Sequence, residues 1–295
     1  MKIEENTNNY AKINVNFKLK EIVKTVVKNK MSLISLVVLM IIVFIVIFGN
    51  FLTPYNPTEQ SRTQIHQKIS INHWFGTDEH GRDILSRILA ATKLSVISGI
   101  LCVLFSFAFG IVLGATAGYY EGKIDSLIMR FMDILLSLPS ILLAITIMCI
   151  LGRGFEKAIL AIGIVNIPDY AMIVRGSILS EKQSDYVQAS RVIGAKDSYI
   201  IFKSILPNVI SSLIVRATLG ISDAILSAAA IGFLGLGAQP PVAEWGDMLG
   251  RSRSYMFIYP HEAFFPGVAI FITVLAFNFL GDGLRDALDP KSREI

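Results

Sequence analysis

The chain has 295 residues, of which 53% are hydrophobic and only 17% charged, with a formal net charge of +4. Soluble proteins average about 25% charged residues, so the composition excludes a pair of soluble domains and predicts a bilayer as solvent, with no nucleic-acid partner. The two cysteines, Cys102 and Cys149, lie in apolar runs without a Cys or His at metal-ligand spacing. We expect both to be small buried side chains, not a disulfide or a zinc site.

The N-terminal segment, 1–30, is polar and lysine-rich, and it precedes an apolar stretch at 31–48. A transmembrane helix needs about 20 such residues, so a first transmembrane helix is expected at 31–52. A cleaved signal peptide has a shorter apolar region with a small-residue cleavage site close behind it. Gly49 to Pro54 follow instead, which favours a retained anchor.

Five further apolar stretches predict an all-α, polytopic membrane protein with six transmembrane helices. The fourth stretch is the weakest, because Asn166, Pro168 and Asp169 interrupt it. Such groups are tolerated at membrane depth where other helices or a cavity satisfy them. The five predicted spans cover residues 94–119, 128–151, 158–174, 209–236 and 263–280.

Basic residues are concentrated on alternate sides of these spans, which indicates the orientation. They are frequent near both termini and between residues 175 and 203, whereas the long segment 53–93 has fewer and also carries acidic residues. The pattern predicts cytoplasmic N- and C-termini, including the tail 285–295, and an extracytoplasmic segment 53–93. Within the core, 94–284, the polar stretch 184–208 is expected in the cytoplasm.

The stretch 184–208 is predicted to form two short helices. Ser184 is a plausible N-cap, Gly194 suits the left-handed conformation that ends a helix, and Asp197 opens the next turn. Pro207 is expected to stop or kink the second helix. From composition alone, an amphipathic connector lying in the membrane interface explains the stretch as well as a docking element does.

The pattern YVQAS at 186–190, Gly194-Ala195 and ILPN at 205–208 resembles the EAA signature of the membrane subunits of binding-protein-dependent ABC importers. In that family the signature forms the coupling helices, which sit in clefts of the ATPase subunits. The resemblance therefore implies the type I ABC importer permease fold and an ATPase contact here. Two positions depart from the pattern, since Gln188 replaces its Glu and Ser190 its second Ala. The implied ATPase-coupling residues are Tyr186, Gln188, Ala189, Ser190, Gly194, Ala195, Leu206 and Pro207.

A second signature, GTDEHGRD at 76–83, follows the first span and resembles dipeptide, oligopeptide and nickel permeases, specifically the C-type partner of each heterodimer. Two further stretches, 232–246 and 275–290, resemble the same family, so the likeness covers nearly the whole chain after residue 30. The motif offers one histidine and three acidic side chains as metal ligands. A hydrogen-bonded turn packed on the permease mouth is the favoured interpretation.

Intramembrane features indicate where a path lies. Arg216 and Asp223, seven residues apart, share a helix face and either pair with each other or line a hydrated path for a zwitterionic peptide. Arg175 is expected to snorkel to the interface. Gly110, Gly114 and Gly118 line one helix face, which favours close packing within the subunit or against a second one.

The chain contains no G-x-x-x-x-G-K-[ST] loop, so the resemblance implies that ATP binds partner subunits and that this chain needs no cofactor. It implies two ATPase subunits, a second homologous permease and an extracytoplasmic binding protein. The expected function is a permease for di- or oligopeptides, possible glutathione-like substrates included. A nickel-complex ABC permease is an alternative.

The second hypothesis is that the chain is an ion-coupled secondary transporter. Its candidate ion-binding groups would be Asp133, Asp169 and Asp223. Many such folds carry an inverted repeat, and the sequence has none that we can detect. An intramembrane enzyme is disfavoured, because the sequence has neither an H-E-x-x-H motif nor a serine elbow nor a carboxylate dyad.

Overall fold

The computed structural model describes residues 27–288 and is almost entirely helical over that range. Most of the lysine-rich segment 1–30 and most of the tail 285–295 lie outside the described residues. Nine helices are numbered here in chain order. They are α1 Lys30–Leu52, α2 Ile84–Tyr120, α3 Gly122–Leu136, α4 Ser140–Leu151, α5 Phe155–Glu181, α6 Asp185–Val192, α7 Asp197–Phe233, α8 Trp245–Ser252 and α9 His261–Leu288.

Within the described range, five helices are long and apolar enough to cross a membrane: α1, α2, α5, α7 and α9. The predicted third span, 128–151, is not one straight helix. It forms α3 and α4, which are bent by 93° at the break between them. Pro139 lies in that break, and a proline disfavours helical geometry in the residue before it. The described residues therefore carry five spanning helices, and they carry the predicted six only when the bent pair is counted as one broken span.

Several helices are longer than predicted. Helix α2 has 37 residues, about 56 Å at the rise of an α-helix, and begins ten residues before the predicted span. Asp83 caps it, accepting a hydrogen bond from Ser86 N at 2.8 Å. Helix α5 passes through Pro168 without a break. The short helix α8 was not predicted, and Glu244 caps it by accepting from Gly246 N and Asp247 N at 2.8 Å each.

Helix α7 corrects the prediction for residues 197–208. The second short helix expected there is the first part of α7, which runs unbroken from Asp197 to Phe233. Its Ile200–Ile205 stretch is a π-helix, in which Leu206 N donates to the carbonyl of Ile201. Pro207 therefore does not stop the helix: it follows the π-helical stretch, at the start of the regular α-helical part.

The core of the molecule is built on the packing of α2 against α5. Gly110, Gly114 and Gly118 of α2 face α5, and a Cβ added at Gly118 would lie 2.8 Å from the carbonyl oxygen of Arg175. The glycine face therefore serves packing within this chain, the first of the two predicted alternatives. Cys102 is buried in this core as expected, whereas Cys149 of α4 is exposed, which contradicts the prediction for that residue.

Candidate functional site

Helix α6 and the turn after it form a compact reversal of the chain. Ser184 precedes the helix, but its hydroxyl donates backwards to Glu181 O at 2.6 Å and does not cap it. At the other end, Gly194 N donates to Arg191 O at 2.9 Å and Ala195 N to Ser190 O at 3.1 Å. This is the Schellman pattern, and Gly194 has the predicted left-handed conformation with φ of +79°.

One face of the 184–208 segment is packed firmly on the spans. Val187 of α6 is fully buried, as are Ile200 and Ile205 at the start of α7. They form one apolar cluster with Val174 and Ile178 of α5. The segment is therefore a fixed part of the helix bundle, and a displacement of α6 acts directly on α5 and α7.

The opposite face is open to solvent and apolar. Val192 is 87% exposed and Ile193 is 83% exposed, immediately before the turn at Gly194. Phe202 is exposed on the neighbouring turn of α7. Isolated exposed apolar residues are ordinary, but a group of them is typical of an interaction surface; we call this exposed part of the segment the protrusion, and Val192 and Ile193 its tip. None of these three residues was among the predicted coupling residues, although the unbroken Val192–Ile193 pair beside a glycine was the available signal.

The predicted ATPase-coupling residues are distributed around this protrusion. Gln188, Ala189 and Gly194 lie on the exposed face, and Ser190, Ala195 and Leu206 are half-buried at its edge. The remaining two are exposed, but Tyr186 is tied into the base, where its hydroxyl donates to Glu181 Oε2 at 2.7 Å and accepts from Asn208 Nδ2 at 2.9 Å. Pro207 lies at the start of the regular α-helical part of α7.

Gln188 has a use that a glutamate would not have. Its Nε2 donates to the carbonyl of Lys182 at 3.2 Å, which ties α6 to the residue after α5. A carboxylate accepts hydrogen bonds only, so a Glu at this position would present an acceptor to an acceptor. The departure from the family pattern thus strengthens the base of the protrusion while leaving its tip uncharged.

The two predicted path residues meet in the bundle, together with a third. Arg216 of α7 lies between two carboxylates. Its Nη2 is 3.3 Å from Asp169 Oδ2 of α5, and its Nη1 is 3.4 Å from Asp223 Oδ2 of α7. We call Arg216, Asp169 and Asp223 the charged triad. All three side chains are partly exposed in the isolated chain. Arg175, expected to snorkel, instead holds Asp125 of α3 through two bonds of 2.5 and 2.6 Å.

A cavity of about 530 Å³ lies beside Arg216, which is the one member of the triad in its lining. Asn208, the partner of Tyr186, also lines it. Two serines, Ser211 and Ser212, and Arg285 of α9 contribute the other polar groups. The lining is mostly apolar, and the two charged side chains in it, Arg216 and Arg285, are both positive.

The GTDEHGRD motif forms the predicted hydrogen-bonded turn. Asp78 accepts from His80 N and Arg82 N at 2.9 and 3.0 Å, and from Arg82 Nε at 2.7 Å. The turn packs on α8, where Arg251 lies 3.6 Å from Glu79. The acidic side chains thus have separate partners within the protein.

Two families of known proteins match parts of this chain. Residues 110–294 match the binding-protein-dependent transport system inner membrane components, and residues 19–68 match the N-terminal transmembrane domain of oligopeptide transport permease C.

Among individual proteins, the chain is 46% identical to the dipeptide transport system permease protein DppC of Alkalihalophilus pseudofirmus, over 93% of this chain and 90% of that protein. It is 47% identical to the glutathione transport system permease protein GsiD of Pectobacterium atrosepticum, over 85% and 84%. Among solved structures, an inward-facing MetNI methionine ABC transporter aligns with a TM-score of 0.56 at 21% identity, over 68% of this chain and 96% of that one. That likeness concerns the fold.

Proposed function

Because this chain belongs to the binding-protein-dependent transport system inner membrane components, we propose that it is the membrane-spanning permease subunit of an ATP-driven importer for di- and oligopeptides, glutathione-like peptides included. The observation that carries the proposal is the exposed apolar tip at Val192 and Ile193, held on a base that is buried against α5 and continuous with α7. The relatives named for dipeptide and glutathione transport favour a peptide over a nickel complex.

The partners follow from what the chain lacks and what it exposes. The sequence has no phosphate-binding loop, so two cytoplasmic ATPase subunits bind the ATP, and one of them receives the tip of the 184–208 segment. This orientation puts both termini in the cytoplasm and the 53–83 segment outside, where a binding protein delivers the substrate. A second, homologous permease completes the path.

Alternating access then uses the continuity of α7. Closure of the ATPases on ATP binding pushes the tip, and the buried base passes the movement to α5 and α7. Because α7 is one helix from Asp197 to Phe233, the helix that begins just after the turn at Gly194 also carries Arg216 and Asp223. The displacement therefore reaches the charged triad along α7.

The charged triad is the proposed lining of the path. Lipid tails cannot solvate a guanidinium and two carboxylates, and such groups within spans face a bundle interior or a water-filled cavity. One arginine between two aspartates leaves a net negative charge, and the adjoining cavity adds the positive Arg285. A zwitterionic peptide matches this distribution of both signs.

The ion-coupled alternative is weakened by the same contacts. Asp169 and Asp223 each pair with Arg216, so neither is an unpaired carboxylate ready to take up a proton or a sodium ion. Asp133, the third group of that hypothesis, lies on α3 outside the triad.

Transport in reconstituted vesicles tests the proposal. The chain is inserted with its second permease and ATPases, and uptake of a labelled dipeptide is measured with the binding protein outside. We expect uptake to require ATP and to survive collapse of the ion gradients. Uptake that continues without the ATPases and stops when the gradients collapse would refute an ATP-driven importer.

The path is tested in the same vesicles by Asp223→Asn. We expect dipeptide uptake to fall about tenfold, the effect of losing one partner of a charged hydrogen bond, while the ATPases stay bound. Asp133→Asn is the matched control and should retain normal uptake. Equal losses in the two variants would contradict the assignment of the path to the triad.

A further inference from the structure

Four elements of the bundle converge on a single side chain outside the charged triad and the exposed tip. Tyr119 is the penultimate residue of α2 and is only 6% exposed. Around it lie the residue that follows α5, the last turn of α6 and the first residue of α7. These are the parts that must move together when the 184–208 segment is displaced.

The polar atoms of Tyr119 bind two of these elements. Its hydroxyl donates to Asp197 Oδ1, at the start of α7, at 2.8 Å. Its backbone carbonyl accepts from Lys182 Nζ, directly after α5, at 2.6 Å. Lys182 also pairs with Glu121 at 2.5 Å, so the end of α5 is fixed to the end of α2 on both sides of Tyr120.

The ring of Tyr119 holds two cations. The ammonium of Lys182 and the guanidinium of Arg191, in the last turn of α6, each lie 5.4 Å from the ring centroid. Cations within about 6 Å of an aromatic face are attracted to it, more strongly where water is excluded. Tyr119 therefore links α2 to α5, α6 and α7 by contacts of three different kinds.

Resting on the function proposed above, we propose that Tyr119 is the positioning residue that makes α2 follow the 184–208 segment. Helices α5 and α7 follow the segment covalently, since the chain runs from α5 directly into it and α7 begins within it. Helix α2 has no such covalent continuity, and the hydrogen bond from the Tyr119 hydroxyl to Asp197 is its direct tie to the first residue of α7. Without this bond, movement of the tip displaces α7 while α2 lags behind.

The decisive variant is Tyr119→Phe, which removes the hydroxyl and keeps the ring for the two cations. In vesicles containing the whole transporter, we expect the ATPases to stay bound and ATP hydrolysis to continue. The number of dipeptides taken up per ATP should fall roughly tenfold, the factor expected for one hydrogen bond to a charged group. A purely structural role would lower the yield of complex and leave this ratio unchanged.

Matched variants separate the tie from general damage. Tyr120→Phe alters the neighbouring, half-exposed tyrosine and should keep the normal ratio. Asp197→Asn retains an acceptor oxygen and should preserve most of the coupling, whereas Asp197→Ala should reproduce the defect. Because both changes remove the same bond, Tyr119→Phe combined with Asp197→Ala should be no worse than either alone.

Three results would overturn the inference: a normal uptake-to-hydrolysis ratio in Tyr119→Phe, an equal loss in Tyr120→Phe, or additive losses in the double variant. These outcomes leave ATPase binding at the tip intact and so leave the proposed function standing. A different result would contradict the proposed function itself, namely a variant at the tip that still binds the ATPases.

Discussion

Two polar segments of this protein, 184–208 and 53–83, lie between apolar spans and carry recognisable motifs, yet their side chains are used in opposite ways. In the 53–83 segment the motif residues turn inward: Thr77, Arg82 and Asp83 are buried. In the 184–208 segment the base is buried, but Val192 and Ile193 point into solvent.

The hydrogen bonds show the same difference. Asp83 binds both His73 Nδ1 at 2.9 Å and the first turn of α2, and the buried Arg87 donates to Pro57 O at 3.0 Å. The 53–83 segment thus braces the first turns of α2. The tip of the other segment leaves apolar surface uncovered, which is costly unless a partner covers it. A motif between spans therefore serves as a brace or as a docking surface according to where its side chains point.

The largest effect should come from charging the tip. Ile193→Glu puts a carboxylate into a surface proposed to be buried against an ATPase, and we expect at least a tenfold loss of ATPase association, because an unpaired charge in an interface costs several kcal/mol. Ile71→Glu is the matched control, because Ile71 lies in the 53–83 segment and is 93% exposed, close to the 83% exposure of Ile193. Co-purification of the ATPases measures both variants.

The control should bind the ATPases normally, and both variants should unfold at the temperature of the unaltered chain. If Ile71→Glu lost the ATPases as completely as Ile193→Glu, the contrast between the two segments would be wrong.

The next effect concerns the brace. Asp83→Ala removes the cap of α2 and leaves His73 without its buried partner, so we expect a loss of about 2–4 kcal/mol in the free energy of unfolding. Asp83→Asn keeps an acceptor for the cap and should lose less. Thermal unfolding in detergent measures the difference.

Molecules of Asp83→Ala that remain folded should still bind the ATPases. Destabilisation of similar size by Asp83→Ala and Ile193→Glu would erase the distinction between brace and docking surface.

The smallest effect is a pH dependence at the cap of α8. Burial raises the pKa of Glu244, the cap of α8, to about 7, with bonds from Gly246 and Asp247 opposing the shift. The folded chain therefore holds this proton more tightly than the unfolded chain, and the stabilisation present at low pH is lost as the pH rises from about 4.5 to 7. Relative to Glu244→Gln, the unaltered chain should lose on the order of 2 kcal/mol between pH 5 and pH 8. Thermal unfolding at the two pH values measures this loss. An equal change in unfolding temperature for the unaltered chain and for Glu244→Gln would contradict the prediction.

Much of the fold was predictable because the bilayer imposes simple rules on sequence. Long apolar stretches located the five spanning helices, glycine at 194 predicted the left-handed turn, and a spacing of seven residues placed Arg216 and Asp223 on one face. The errors lie where local signals are ambiguous. A proline at 139 breaks one span, whereas prolines at 168 and 207 are absorbed by α5 and by the end of the π-helical stretch.

The sequence by itself determined the helical membrane fold and the position of the polar segment between residues 184 and 208, since the length of apolar stretches and the polar breaks between them are properties of the chain alone. Only the tertiary structure decided that Asp169 joins Arg216 and Asp223, that Tyr119 ties four elements together, and that Val192 and Ile193 form the tip. Those features depend on which helix faces meet across long distances in sequence, and residue spacing along one helix carries no record of its neighbours.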